Sequence, residues 1–212
     1  MAELPRTLTP IGADAATALM VTSLGVLEEP KPELVAQHLL SLVWIETGNG
    51  RAMTQHNWGN LSGAYQGNYW RPPWFEVDES SSSRNRYLHQ RMLEGKAPSK
   101  FRAYRDRGEG LDDFLRLIYS RPFAPMLVAA RAGDTRAFAN AVHDTGYCPD
   151  DACRGERTFA RYDDLSRTFR PLLGLSSTSI VPTSSPSSSP SGLSSLGSVL
   201  LFWFLLQALR RF

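Results

Sequence analysis

The residue of this sequence best suited to acid catalysis is a glutamate at the end of a predicted helix. The stretch Leu42–Arg51 reads LVWIETGNGR and places Glu46 shortly before two glycines that can end a helix. Val35, Leu39 and Leu42 precede Glu46 by eleven, seven and four positions, so all four side chains lie on one helical face. Burial on that face and the negative end of the helix dipole both favour the protonated carboxyl, which predicts a raised pKa for Glu46. A raised pKa is what a general acid needs near neutral pH.

The segment after this helix contains side chains that can bind sugars, but a purely structural interpretation is also open. Asn57 and Asn60 lie in the run Gln55–Gly63, which reads QHNWGNLSG, and their amides can hydrogen-bond to sugar hydroxyls. Alternatively, Glu46 pairs with a nearby cation such as Arg51, and the asparagines and glycines only form turns. Spacing alone leaves both interpretations open.

Composition describes an ordinary globular chain and argues against nucleic acid as a partner. The 212 residues include 23 Lys and Arg against 21 Asp and Glu, and the basic residues are scattered along the sequence. Cys148 and Cys153 are five positions apart, so they either close a small disulfide loop or stay reduced, and they make a poor zinc site. We expect neither a metal nor another cofactor.

Hydrophobic periodicity predicts a mainly helical (α+β) domain with a small inserted lobe. Apolar residues recur at helical spacing in six segments, approximately residues 15–27, 33–46, 111–119, 123–132, 134–143 and 159–169, and Asp134 is a candidate N-cap. Between the second and third of these, residues 62–105 mix aromatic residues with glycine and proline, which is typical of short strands or irregular structure. Lys100–Tyr104 is the clearest strand candidate within this lobe.

The C-terminal part of the sequence differs in composition from the rest. Residues 1–174 form the predicted domain, and residues 175–192 are so rich in Ser, Thr and Pro that we expect a disordered linker. Residues 193–212 hold an unbroken apolar run from Val199 to Leu206, which favours a transmembrane anchor over an interfacial helix. The N-terminus lacks the pattern of a removable secretory signal.

Several short motifs, taken in order, resemble one enzyme family. They are Glu46–Gly50 (ETGNG), Asn57–Leu61 (NWGNL), Phe101–Tyr104 (FRAY), Gly110 with Phe114, and Gly146–Tyr147. Over residues 35–172 this set is similar to the glucosaminidase-type peptidoglycan hydrolases of the lysozyme-like superfamily, which include flagellar, autolysin and phage lysin domains.

The resemblance implies cleavage of β-1,4 bonds between the aminosugars of peptidoglycan. Glu46 matches the proton donor of that family, and Tyr147 matches the tyrosine across the cleft, where it could bind substrate or steady the transition state. Asn57 and Asn60 match cleft residues near the scissile bond. In this sequence Cys148 and Pro149 follow Tyr147, where the family has small residues and threonine.

The lobe is expected to supply a second catalytic group and an aromatic surface for the glycan. Inverting hydrolysis needs a base carboxylate roughly 6.5–9.5 Å from the acid, and retaining hydrolysis needs a closer nucleophile or the substrate's own acetamido group. Glu76 is the first candidate, ahead of Asp78 and Glu79, because it follows an apolar aromatic run that could hold it out of solvent. The aromatic residues expected to contact glycan are Tyr65, Trp70 and Tyr104.

The sequence therefore predicts a cell-wall lytic enzyme that acts on peptidoglycan strands and is tethered to a membrane by its C-terminus. The combination of a hydrophobic tail with no secretory signal suggests a phage-type enzyme of the virion or the bacterial cell envelope. A lytic transglycosylase is an alternative because it needs one glutamate and no second carboxylate. A glycan-binding virion or envelope protein without enzymatic activity is an alternative of another class.

Overall fold

The fold is mainly helical and includes one small sheet, as the sequence predicted. The computed structural model of the chain describes residues 2–148, 153 and 155–175. In chain order its elements are β1 (Ala2–Glu3), α1 (Ala13–Val26), α2 (Pro32–Glu46), β2 (Asn68–Trp70), α3 (Ser83–Leu93), β3 (Phe101–Arg102), α4 (Arg107–Ile118), α5 (Ala124–Ala132), α6 (Thr135–Asp144) and α7 (Glu156–Phe169). Short 3-10 helices follow α4 and α7, at Arg121–Phe123 and Pro171–Leu173.

Helix α2 lies at the centre of the helical core and is buried on all sides. It packs against α1, α5 and α7, and every residue from Val35 to Trp44 is buried. Two of its buried polar side chains donate hydrogen bonds within the core: Gln37 Nε2 to the Ser166 carbonyl (3.3 Å), and Ser41 Oγ to the Gln37 carbonyl (2.8 Å). The sequence pattern predicted a single apolar face, but the helix is enclosed because three other helices cover it.

The predicted helix starts and ends are largely confirmed by local hydrogen bonds. Pro32 is the first residue of α2, where a missing N–H costs nothing. Asp134 caps α6 by accepting a hydrogen bond from the Ala137 amide at 2.8 Å, as predicted. Asp106 caps α4 in the same way through the Glu109 amide at 2.9 Å.

The small sheet has the order β1-β2-β3. Strand β1 pairs in parallel with β2, and β2 pairs antiparallel with β3, with Trp70 opposite Phe101. The predicted strand at Lys100–Tyr104 is therefore confirmed at two of its five residues, Phe101 and Arg102. Trp70, Phe101 and Ala103 form a small apolar core of their own.

The lobe also contains a helix that the sequence pattern did not predict. The expectation for residues 62–105 was short strands or irregular structure, but α3 occupies Ser83–Leu93. None of its residues is buried, so it has no apolar stripe to detect. Its N-cap was present in the sequence: Ser82 Oγ accepts a hydrogen bond from the Asn85 amide at 3.2 Å.

The predicted membrane anchor at residues 193–212 lies outside the described residues, as does the linker at 175–192 apart from Leu175. Within the described part of the chain, none of the helices has the length and apolar character needed to span a bilayer.

Candidate active site

The end of α2 is held by a turn that leaves little conformational freedom. Thr47 Oγ1 donates to the Val43 carbonyl at 2.6 Å and accepts from the Gly50 amide at 3.1 Å. Gly50 has a left-handed φ of 75°, and a Cβ atom there would lie 2.4 Å from the Ile11 carbonyl oxygen. The helix therefore ends at Glu46 with a defined geometry, as the sequence predicted.

Glu46 is half-buried, and its surroundings favour the protonated carboxyl. Burial raises the pKa of the Glu46 carboxyl, and the side-chain amide of Asn60 opposes part of that rise. None of the ion pairs among the described residues involves Glu46, and Arg51 is exposed. The alternative interpretation, in which Arg51 neutralises Glu46 in an ion pair, is therefore not supported by the described ion pairs.

Asn60 lies beside Glu46, whereas Asn57 holds the loop together. Asn60 has a left-handed φ of 48°, and its Nδ2 donates to the backbone carbonyl of Glu46. Asn57 is fully buried: its Oδ1 accepts from the Leu61 amide (2.7 Å), and its Nδ2 donates to the carbonyls of Leu61 (2.9 Å) and Arg102 (3.2 Å). Asn57 was predicted to contact substrate, but its polar atoms are committed to the loop.

Tyr147 is brought to the same place from the end of α6. Its hydroxyl donates to the Gly59 carbonyl at 2.9 Å, and a Cβ atom on Gly59 would lie 2.1 Å from that hydroxyl oxygen. The pKa of Tyr147 is raised well above its ordinary value, first by burial and then by the negative charge of Glu46. The fold thus places Tyr147 in the electrostatic neighbourhood of Glu46, although 101 positions separate them.

A disulfide follows Tyr147 directly. Cys148 is joined to Cys153, with the two Cα atoms 6.0 Å apart. Of the two states that the sequence left open, the structure contains the oxidised one. Cys148 also packs against the main core, so the residue after Tyr147 is anchored.

A second tyrosine near Glu46 was not identified from the sequence as a site residue. Tyr162 lies in α7 and is almost fully buried, with its ring edge-on to Phe138 at 5.8 Å. Burial and then the charge of Glu46 raise the pKa of Tyr162. Its helical spacing predicted only a core position, and the same position brings it towards Glu46.

The aromatic residues predicted to contact glycan occupy two different environments. Tyr65 is half-buried and lies against Tyr104, with ring centroids 4.8 Å apart. Tyr104 is nearly fully buried, and its hydroxyl donates to Asp113 Oδ2 at 2.6 Å. Trp70 is also buried and stacks on Phe101 at 4.9 Å, so it belongs to the core of the lobe rather than to an exposed aromatic surface.

The expectation that Glu76 is held out of solvent was wrong. Its side chain is 86% exposed, and Arg71 Nη1 is 3.8 Å from its Oε1. Asp78 and Glu79 are exposed as well, and Asp78 Oδ1 accepts hydrogen bonds from Ser80 and Ser81 in a local turn. The run Trp74–Phe75 before Glu76 is itself only half-buried, so it provides no enclosed position for the carboxylate.

The described part of the chain contains no candidate metal site, because no group of three or more His, Cys, Asp or Glu side chains is placed to hold an ion.

Comparison with known proteins adds no relative: no protein-family model, curated protein or solved structure matches this chain.

Proposed function

We propose that this protein is a glycosidase that cleaves β-1,4 bonds of peptidoglycan, with Glu46 as the general acid. The observation that carries the proposal is the state of the Glu46 carboxyl, whose pKa is raised by burial and which has no cation partner among the described ion pairs. A carboxylic acid in such surroundings can deliver a proton to a glycosidic oxygen at a pH where an exposed glutamate is ionised.

Two neighbouring groups have roles in the proposed reaction. Asn60 fixes the end of α2 through the Glu46 carbonyl, and its side-chain amide also acts on the carboxyl. The Tyr147 hydroxyl keeps its proton, because its pKa is raised well above the ordinary value, and it donates that proton to the Gly59 carbonyl. Its oxygen can still accept from a sugar hydroxyl or face the positive charge that develops in an oxocarbenium-like transition state.

The substrate and the location of the enzyme belong to the same proposal. The ordered motifs that resemble peptidoglycan hydrolases favour the aminosugar strands of the cell wall over other glycans. The hydrophobic segment at residues 193–212 would tether the domain to a membrane, which suits a phage-type lytic enzyme of the virion or cell envelope.

A lytic transglycosylase is a second candidate, and the surroundings of Glu46 favour it. No acidic side chain among the described residues contributes to the raised pKa of Glu46. Glu76 is 86% exposed, and Asp113 accepts hydrogen bonds from Arg102 and Tyr104. A transglycosylase needs only one carboxyl group as acid and then base, with the substrate's own hydroxyl as nucleophile.

The test of the proposal is cell-wall cleavage by the full chain and by Glu46→Gln. We expect cleavage to fall about 100- to 10,000-fold, since glutamine fills the same space but donates no acidic proton. Glu33→Gln, which changes a glutamate in the first turn of the same helix, is the matched control and should cleave like wild type. Full activity of Glu46→Gln would contradict the assignment of the acid. Glycan binding by wild type without cleavage would instead favour the non-enzymatic alternative.

The chemistry of the products separates the two enzymatic candidates. Hydrolysis leaves a reducing sugar end, whereas transglycosylation leaves an anhydro end that is lighter by one water molecule, so mass spectrometry of the released fragments distinguishes them. Glu76→Gln adds a second criterion: if Glu46 acts without a partner carboxylate, this variant keeps wild-type activity. A loss of about 100-fold or more would restore Glu76 as the second group.

A further inference from the structure

Asp113 is a carboxylate in α4 with two donors from the segment that includes β3. Its Oδ2 accepts from Arg102 Nη1 at 2.5 Å and from the Tyr104 hydroxyl at 2.6 Å. The side chains of Asp113 and Arg102 are only 12% and 18% exposed. Hydrogen bonds to a charged group in such surroundings are stronger than those at a surface. The side chain of Asp113 therefore fixes both donors relative to α4.

Arg102 in turn is attached to the loop that carries the asparagines. Its backbone amide donates to the Leu61 carbonyl at 2.9 Å, and its Nε donates to the Ser62 carbonyl at 3.2 Å. Its own carbonyl accepts from Asn57 Nδ2 at 3.2 Å. The loop from Asn57 to Ser62 is thus held along β3 by three hydrogen bonds to one residue.

The same loop reaches the candidate acid at its other side. Asn60 Nδ2 donates to the Glu46 carbonyl, and the Gly59 carbonyl accepts from the Tyr147 hydroxyl at 2.9 Å. A shift of the loop would therefore move two of the groups that surround Glu46. Displacements of about 1 Å at a reacting centre can reduce rates by about 100-fold.

The Tyr104 amide donates to the Gln55 carbonyl, just before the loop, at 3.1 Å. We infer that Asp113 is a positioning residue: through Arg102 and Tyr104 it holds the Asn57–Ser62 loop, and hence Asn60 and Gly59, against the end of α2. As far as it concerns catalysis, this inference rests on the proposed function of Glu46. Asp113 itself does not act on the substrate in this account. This role could not be predicted from the sequence, because an aspartate on the partly exposed side of a helix has no distinguishing pattern.

The test compares Asp113→Asn with Glu109→Gln in the full chain. Glu109 is a matched control, since it is also a carboxylate of α4 bonded to an arginine: its Oε1 accepts from Arg105 Nη2 at 3.1 Å and its Oε2 from the Arg105 amide at 2.8 Å. None of the described hydrogen bonds of Glu109 reaches the loop. We expect Asp113→Asn to lower kcat about 10- to 100-fold with little change in KM, because binding groups remain while the acid's surroundings are displaced. Glu109→Gln should change neither parameter by more than about twofold.

A double mutant separates positioning from general destabilisation. If Asp113 acts through the loop, Asp113→Asn should slow Asn60→Ala less than it slows wild type, because one of the two loop groups that it positions is already missing. Effects that multiply would overturn the inference, because they would mean that the two residues act independently.

Amide hydrogen exchange supplies a measurement that does not depend on activity. In Asp113→Asn the amides of Leu61, Gly63 and Arg102 should exchange about tenfold faster or more than in Glu109→Gln. Equal exchange in the two variants would overturn the positioning role even if cleavage is observed. Conversely, if wild type cleaves no cell-wall glycan, the proposed function fails while the exchange result still decides the role of Asp113.

Should Asp113→Asn fail to fold by circular dichroism, Tyr104→Phe is the second variant. It removes one donor to Asp113 Oδ2 and keeps the aromatic ring against Tyr65. Faster exchange of the same three amides is the expected result, and unchanged exchange would contradict the inference.

Discussion

A buried glutamate precedes α2 and a half-buried glutamate ends it, and their surroundings shift the two pKa values in opposite directions. Glu29, just before the helix, is fully buried with Arg131 Nε 2.9 Å from Oε1 and Arg131 Nη2 2.8 Å from Oε2. The Tyr119 hydroxyl also donates to it. The hydrogen bonds from Arg131 lower the pKa of Glu29 to about 2 in spite of burial. At the other end burial raises the pKa of Glu46, with only Asn60 opposing it.

The difference between the two pKa shifts shows how a structural carboxylate and a candidate acid can lie at opposite ends of one helix. Glu29 is ionised and joins the start of α2 to the ends of α4 and α5, where Tyr119 and Arg131 lie. Its charge also lies at the end of α2 where the helix dipole favours an anion, whereas Glu46 lies where the dipole disfavours one. Partners therefore make the first carboxylate stabilising, whereas none of the described cations pairs with the second, whose pKa is raised by burial.

The largest effect on stability is expected at Glu29, the ionised glutamate before α2. Glu29→Gln should lower the free energy of unfolding by about 2–3 kcal/mol, because it leaves the Arg131 guanidinium without its counter-charge. The loss stays below that of a fully enclosed pair since part of Arg131 reaches solvent. Chemical denaturation at pH 7 measures it. A change under about 0.5 kcal/mol, the size of an ordinary surface substitution, would contradict the structural role.

The acid dependence of stability should follow from the same carboxylate. The pKa of Glu29 is about 2 in the folded protein against an ordinary value of 4.5, so the unfolded chain takes up this proton first as the pH falls. Its stabilising contribution is complete above pH 4.5 and is lost as the pH falls towards 2. Denaturation measured across this range should show a steeper loss for wild type than for Glu29→Gln. Parallel curves would mean that Glu29 is not held as an ion.

The smallest effect on stability, with the opposite sign, is expected at Glu46. Glu46→Gln should stabilise the folded protein by about 0.5–2 kcal/mol at neutral pH, as removal of an unfavourable functional group commonly does. Because folding raises the pKa of Glu46, the wild-type carboxyl weakens stability as the pH rises above the ordinary value of 4.5. The difference in Tm between variant and wild type should therefore grow from acid to neutral pH. A destabilised variant at neutral pH would indicate that Glu46 is a structural ion like Glu29.

The helices of the main body could be predicted from the sequence because each carries a buried stripe or a local cap. The six expected helices are present, and Asp134 caps α6 as its position indicated. Helix α3 was missed because none of its residues is buried, which leaves no periodic signal. Strand β1 is two residues long and depends on its pairing with β2, so it has no pattern of its own.

Site residues were predictable where the chemistry is local and were missed where it depends on distant contacts. The end of α2 at Glu46 follows from the glycines and the apolar spacing that precede it. Asn57 and Trp70 had side chains suited to sugar binding, but burial assigned them to the loop and to the core of the lobe. Glu76 was chosen for its aromatic neighbours, and its exposed position removes that reason.

The sequence by itself determined that a helix ends at Glu46 and that a polar loop follows it, because helix periodicity, glycine conformation and turn formation act over a few residues. Three features were decided by the tertiary structure alone. Arg51 is exposed and forms none of the described ion pairs with Glu46, and Tyr147 and Tyr162 lie near that carboxyl. Hydrogen bonds from Arg131 keep Glu29 ionised. These contacts join residues far apart in the chain. The balance between desolvation and pairing that sets each pKa depends on which side chains the packed helices bring together.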